Sequence, residues 1–246
     1  MQTEQLLEQI SHLKLTGFAM ELRDQQQRLN INQLSFEERL SMLLEREILH
    51  KEDKRLANLL RQAKLRQKAN IESIAYDASR QLDRSKIMSL ASCDFIKHDH
   101  NIIITGSTGC GKSYLACALG DRACRMGYKV HYLHLPRFIE SLNITHADGS
   151  YAKLMKDLNN FDLLILDDFG LTSITNSQCH DLFNLIEERH QLKSTIITSQ
   201  LPVSKWHDYL GEPTLADAIL DRLLQNVYRV EIAGESMRKP KKVESA

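Results

Sequence analysis

Gly106-Ser107-Thr108-Gly109-Cys110-Gly111-Lys112-Ser113 fits the pattern G-x-x-x-x-G-K-[ST] at every fixed position. In such a stretch the glycines let successive backbone N–H groups point inward at phosphate oxygens, and the following helix offers its positive N-terminal end. Lys112 is then placed to reach the β- and γ-phosphates, and the Ser113 hydroxyl to ligand Mg²⁺. The candidate binding set runs from Gly106 through Ser113 and includes Tyr114. An ordinary glycine-rich turn is the plain alternative, and the flanks argue against it. Asn101-Ile102-Ile103-Ile104-Thr105 is a β-branched apolar run suited to a buried parallel strand, and Tyr114 to Met126 reads as a helix with Leu115, Ala118 and Leu119 on one face.

Three further groups carry chemistry. Leu163-Leu164-Ile165-Leu166-Asp167-Asp168 is an apolar strand ending in two carboxylates. Asp167 suits Mg²⁺ opposite Ser113, and Asp168, pointing a different way, suits polarising the attacking water of a hydrolysis. Two carboxylates capping the turn at Gly170 would look the same. Thr195-Ile196-Ile197-Thr198-Ser199-Gln200 is a second strand with a polar end, from which Thr198, or Ser199 after it, would sense the γ-phosphate; hydroxyls that only cap the loop before Pro202 are the alternative. Arg222 lies near the end of a helix read as Leu215 to Leu224 with Thr214 as its cap. The places three and four residues away hold Ala218, Ile219, Gln225 and Asn226, so it has no acidic neighbour along the helix. Such an arginine is free either for solvent or for a neighbouring subunit's γ-phosphate, where a finger contributes about 10³–10⁵ in rate.

Other patterns lead nowhere. Asp168-Phe169-Gly170 spells a kinase triplet, but no H-R-D loop and no G-x-G-x-x-G loop accompany it. The ten histidines give no zinc spacing, since His131 and His134 sit three apart on a strand and face opposite ways. The five cysteines are odd in number and never spaced C-x-x-C, which reads as free thiols in a reducing cytoplasm; Cys117 and Cys124 suit packing as small apolar residues.

The elements that position these residues follow from the pattern of the rest. The chain has 246 residues, 42% of them hydrophobic, enough for one α/β core and a smaller appendage. Residues 1 to 90 contain one glycine, Gly17, and no proline, a helical composition. Leu6, Leu7, Ile10, Leu13 and Phe18 predict a first amphipathic helix. Ser35 with Glu38 resembles a capping box for a second, with Phe36, Leu40, Leu43 and Leu44 as its apolar stripe. From residue 91 onward five β-branched runs, Asn101–Thr105, Lys129–Leu135, Leu163–Leu166, Thr195–Ser199 and Val227–Ile232, alternate with helical stretches, which predicts a mainly parallel sheet covered on both faces. Ligands in such sheets bind at the carboxyl ends of strands, where Gly106 begins.

Charge excludes a global field: Lys+Arg and Asp+Glu stand at 32 each. Locally, Lys51 to Lys68 holds Lys51, Lys54, Arg55, Arg61, Lys64, Arg66 and Lys68 against Glu52 and Asp53, a helix face suited either to DNA phosphates or to solvent. Arg238, Lys239, Lys241 and Lys242 form a second basic cluster, read as a disordered tail. The opening residues lack a signal peptide's basic and apolar regions, and no apolar run approaches the roughly 18 residues of a membrane span, so a soluble cytoplasmic protein is expected.

Taken together, the phosphate loop followed by Tyr114-Leu115-Ala116, L-L-I-L-D-D-F-G at 163–170, Thr198-Ser199-Gln200 with Pro202 and Trp206, Asp221-Arg222-Leu223 and the closing Gly234-Glu235-Ser236-Met237-Arg238 resemble the IstB family. So do Leu34-Ser35-Phe36-Glu37-Glu38-Arg39-Leu40 and Glu45-Arg46-Glu47 near the start. These are ATP-binding helpers of insertion-sequence transposition, AAA+ relatives of the DnaC helicase loader. The resemblance implies a homo-oligomer that assembles on double-stranded DNA, recruits an IstA-type transposase and hydrolyses ATP with Mg²⁺. Lys112, Ser113, Asp167, Asp168, Thr198 and Arg222 take the usual AAA+ roles in it, Arg222 toward the next subunit. It implies no C-terminal helical lid, so Arg238 has no assigned role; and because many AAA+ proteins have Glu where this chain has the shorter Asp168, slow turnover is expected. A DnaC-type loader and a metabolic P-loop kinase are the competing readings.

Overall fold

A computed structural model describes residues 2–234, 236 and 237; Glu235 and the cluster Arg238, Lys239, Lys241 and Lys242 lie outside the described residues. Contacts divide the chain into two compact units, one ending at Asn58 and the other beginning at Leu59. The change of composition near residue 90 does not coincide with that division. Leu59, Ala63, Ile71, Ile74, Ile87 and Leu90 are buried, and all belong to the unit that holds the sheet.

The first unit is helical: α1 (Gln2–His12), α2 (Thr16–Gln27) and α3 (Phe36–Ala63), whose last turn falls in the second unit. The expected single opening helix is two. Lys14 takes a left-handed backbone, φ 58°, and Leu15 N donates to Ile10 O at 3.1 Å while Lys14 N donates to Ser11 O at 2.9 Å. That pair of bonds closes a helix end. The expected capping box at the start of α3 is present: Glu38 N donates to Ser35 Oγ at 3.2 Å and Ser35 N to Glu38 Oε2 at 2.7 Å. The expected stripe is only half inward, with Leu43 buried but Phe36 and Leu44 exposed, at 72% and 50%.

What joins α2 to α3 is close approach rather than apolar bulk. A Cβ on Gly17 would lie 2.5 Å from Arg46 O and 2.8 Å from Glu47 Cα. The contact brings the Phe18 amide to Glu47 Oε2 at 3.0 Å. Burial alone would raise the Glu47 pKa, but the Phe18 and Gly17 amides and Lys51 outweigh it and hold the carboxyl below its ordinary value.

In the second unit α4 (Arg84–Leu90) and α5 (Asp94–Lys97) lead to β1 (Asn101–Gly106), α6 (Lys112–Arg125), β2 (Val130–His134), α7 (Leu135–Ala147), α8 (Tyr151–Asn159) and β3 (Leu163–Phe169). Then come α9 (Asn176–Arg189), β4 (Ser194–Ser199), α10 (Trp206–Leu210), α11 (Pro213–Leu224) and β5 (Val227–Ile232). The five strands form one sheet in the order β2-β3-β4-β1-β5, every neighbouring pair parallel. This is the expected α/β architecture, and no helix follows β5 among the described residues. Leu164, Leu166, Ile103 and Ile197 pack with α7, α9 and α11 on one face. α6 covers the other, its Leu115, Ala118 and Leu119 buried as predicted. The start of α11 differs from expectation: Glu212, not Thr214, is the cap, its carboxylate accepting from Leu215 N at 2.6 Å. Pro213 fits the first helical position because it needs no donor there. Among the described residues no helix is long and apolar enough to cross a membrane.

Gly17→Ala is expected to destabilise the chain by about 1–3 kcal/mol, the usual range for overpacking. Denaturant unfolding of the full chain followed by circular dichroism measures it; unaltered stability would mean that α2 and α3 can move apart without loss.

Candidate nucleotide site

All parallel strands end on one side, so the loop after β1 meets the ends of β3 and β4. In that loop Gly106, Gly109 and Gly111 have φ of 151°, 82° and 101°. All three are also closely approached by neighbours: a Cβ on Gly106 would lie 2.3 Å from Ile232 O, one on Gly109 2.1 Å from Ser236 Oγ, and one on Gly111 2.7 Å from Arg80 Nη2. Lys112 is buried and turned back on its own loop, donating to Gly106 O at 2.9 Å and Ser107 O at 2.8 Å. The loop is held from both flanks of the sheet-bearing unit. Arg80, buried, donates to Cys110 O at 2.9 Å and Ala75 O at 2.5 Å; after β5, Met237 N donates to Gly109 O at 3.0 Å and Ser107 Oγ to Gly234 O at 3.0 Å. Thr108 Oγ1 donates to Gln200 Oε1 at 2.6 Å.

Asp167 is fully buried at the end of β3, and both of its oxygens are engaged. Oδ1 accepts from Ser113 Oγ at 2.8 Å and Thr198 Oγ1 at 2.5 Å; Oδ2 accepts from the Tyr132 hydroxyl and from Arg66 Nη1 at 3.2 Å. Burial, and then the Asp167 charge, push the Tyr132 phenol far above its ordinary pKa, so it stays a donor. Asp168 has a left-handed backbone, φ 63°, and β3 slips register against β4 between Leu166 and Phe169. The Asp168 carboxylate meets Arg66 Nη1 at 3.3 Å and His134 Nε2 at 3.3 Å, sharing the arginine with Asp167. Its amide donates to Thr198 Oγ1 at 3.1 Å. The two strand-end hydroxyls therefore differ: Thr198 serves the acidic pair, while Ser199 Oγ donates to Phe169 O at 2.7 Å and accepts from Leu201 N at 3.0 Å, tying the loop before Pro202.

Beside these groups lies a cavity of about 550 Å³, lined among others by Arg66, Ile74, Arg80, Tyr114, Gln200 and Met237. That volume suits a nucleotide-sized ligand. The oxygen donors Ser113 and Asp167, adjacent at 2.8 Å, are of the kind Mg²⁺ takes alongside substrate phosphates.

The residues from Gly106 to Ser113, Tyr114, Asp167, Asp168 and Thr198 thus converge. Arg222 does not join them, and it has a partner. Its Nε pairs with Glu187 of α9, Nη1 donates to Ala218 O at 2.9 Å, and the guanidinium lies 5.2 Å from the Phe183 ring centroid. The expectation of a partnerless arginine fails because α9 packs beside α11, a contact that spacing along one helix does not reveal. The basic helix face over 51–68 is also corrected. α3 stops at Ala63, Lys64 turns left-handed with φ 49°, and Arg66 goes to the two carboxylates. Arg80 and Tyr132 carried no signal in the sequence, and Gln200 none beyond its place in the strand-end motif, since their roles arise only from long-range packing.

The IstB-like ATP binding protein family matches residues 8–245 of the chain. An insertion sequence ATP-binding protein of Sinorhizobium fredii, y4pL, is 45% identical over 233 residues, 95% of each chain. The ATP-binding protein of insertion sequence IS1162 from Pseudomonas fluorescens is 45% identical over 205 residues, 83% of this chain and 89% of its own. Among solved structures the DnaC helicase loader superposes with a TM-score of 0.57 at 22% identity, over 67% of this chain and 96% of its own, a likeness of fold. By the span of the family match and the identity of these relatives, the chain belongs to the IstB-like ATP-binding proteins.

Proposed function

We propose that this chain is a cytoplasmic ATPase that assists DNA transposition: it binds ATP with Mg²⁺, assembles as a homo-oligomer on double-stranded DNA, and recruits and regulates an IstA-type transposase. The observation that supports hydrolysis best is Asp167 joined to both Ser113 and Thr198 beside a glycine-rich loop. The names of the relatives, insertion sequence ATP-binding proteins, support the transposition setting. The helicase-loader reading rests on likeness of fold alone, and a metabolic kinase on the loop alone.

In this reading the backbone amides from Gly106 to Gly111 and the Lys112 ammonium bind the phosphates, Lys112 exchanging its loop carbonyls for them. Ser113 and Asp167 hold Mg²⁺, which supplies charge neutralisation on the phosphoryl oxygens. Asp168 accepts a proton from the attacking water, and Thr198 fixes the backbone from which Asp168 projects. Tyr114 flanks the bound nucleotide from the first turn of α6. The helical residues before 90, with Phe36 and Leu44 exposed and Lys51, Lys54 and Arg55 on the surface, are the proposed DNA and partner contacts, ahead of an ATPase domain over 91–246.

Arg222 is proposed to act on the nucleotide of an adjacent subunit. Asn101, at the start of β1, donates to Arg222 O at 3.5 Å, so Arg222 lies at the opposite end of β1 from Gly106. Strand rise puts those ends roughly 16 Å apart, beyond reach of its own loop. Its Glu187 pair must open for the role.

Lys112→Ala is expected to lower affinity for a fluorescent ATP analogue at least about tenfold and abolish phosphate release, the loss of one charged phosphate contact. Wild-type turnover in that variant would remove the site. Arg222→Ala is expected to bind ATP normally yet hydrolyse it about 10³-fold more slowly in the DNA-bound oligomer. An equal rate there would rule out a finger. A phosphorylated small molecule among the products would favour the kinase.

A further inference from the structure

Arg66 approaches the acidic pair from outside the strands. The irregular segment after α3 carries it to Asp167 Oδ2 at 3.2 Å and Asp168 Oδ2 at 3.3 Å, so one guanidinium nitrogen bridges both carboxylates. The two sides of the contact are unequally buried: Asp167 is inaccessible, whereas the Arg66 side chain is 43% exposed. Solvent can reach the guanidinium side of the contact, so Arg66 can exchange its partners for water. A buried Asp167 beside a second carboxylate, with no cation near, is much less tolerable. The same segment lines the cavity through Gln67, Ser73, Ile74 and Ala75.

We infer that Arg66 is a tethered cation that competes with the divalent metal for Asp167 and Asp168, and so sets how much Mg²⁺ the site requires before nucleotide is held productively. The inference rests on the proposed Mg–nucleotide site. Metal and guanidinium draw on the same two carboxylates, and like charges repel at this separation. Each must therefore weaken the other by the same factor. Arg66 is neither a metal ligand nor a catalytic residue here; it neutralises the pair and withdraws as the metal arrives. His134 Nε2, on the same Asp168 oxygen at 3.3 Å, stays as a partner for that carboxylate when Arg66 leaves.

The direction of the effect separates this role from a structural one. In Arg66→Ala the Mg²⁺ concentration that half-saturates binding of a fluorescent ATP analogue should fall about fivefold, the worth of a weak ion pair. Binding in EDTA should weaken, because the carboxylates then face the phosphates without a counter-charge. Mn²⁺ affinity of the nucleotide-bound chain, read by electron paramagnetic resonance, should rise by the same factor, and Arg66→Lys should remain near wild type. A merely structural arginine would weaken all of these in Arg66→Ala. An unchanged or raised Mg²⁺ midpoint in Arg66→Ala, with the wild type binding nucleotide normally, overturns the inference alone. A wild-type chain that binds no nucleotide overturns the site and the inference together. A single cooperative unfolding transition above the assay temperature in each of the three proteins establishes that the variants fold.

Discussion

One carboxylate organises the sheet-bearing unit. Asp167 is inaccessible to water, and burying an ion without partners costs several kcal/mol, so its donors are a condition of the fold as well as of the chemistry. Those donors come from α6 through Ser113, from β4 through Thr198, from β2 through Tyr132 and from the segment before β1 through Arg66. A parallel sheet converges its strand ends by topology alone. The Asp167 contacts go further and bring side chains from four separate stretches of chain to within hydrogen-bond distance of one carboxylate.

That anchorage explains the backbone at Asp168. A left-handed residue within a strand costs roughly 1–3 kcal/mol and persists only where its surroundings determine it, although aspartate tolerates it better than most. Here Asp167 on one side and Thr198 Oγ1 on the Asp168 amide hold the peptide in place. The result is two adjacent carboxylates in different environments, one enclosed by donors and the other open to the cavity. Alternation along a regular strand would have sent the second to the opposite face. The register slip between Leu166 and Phe169 brings both to the same site.

Much of this was legible in the sequence where the signal is local. All five strand runs are strands within a residue or two, apart from β3, which extends to Phe169, and Ser35 with Glu38 forms the reciprocal cap that its spacing implies. The loop motif marked the cavity. Three readings failed for reasons that are not local. Helical composition continues past Ala63 with no glycine or proline to stop it, so nothing announced that Lys64 would turn left-handed and send Arg66 into the site. Thr214 is a good cap by type, but the proline before it starts the helix two residues earlier than expected and gives the role to Glu212. Arg222 lacks a partner along α11 and finds one in α9, because packing of two helices pairs residues far apart in sequence. Glycines at 109 and 111 read as a phosphate requirement, yet their positive φ and the nearness of Ser236 and Arg80 also disfavour a side chain there.

The position of Arg222 constrains any mechanism that uses it. It lies at the amino end of β1, while the phosphate loop and Asp167 lie at the carboxyl end, so one chain presents the two halves of such a site on opposite sides of its sheet. Joining them requires a head-to-tail contact, and contacts of that kind build rings when the rotation closes and helical filaments when it does not. A two-fold dimer would bury identical surfaces against each other and leave the halves apart. Glu187 adds a threshold, since Arg222 must give up that carboxylate to reach phosphate charge on a neighbour. Hydrolysis assisted by Arg222 would therefore report that a neighbour is present and seated. Even with ATP bound, a lone subunit would lack the second cation.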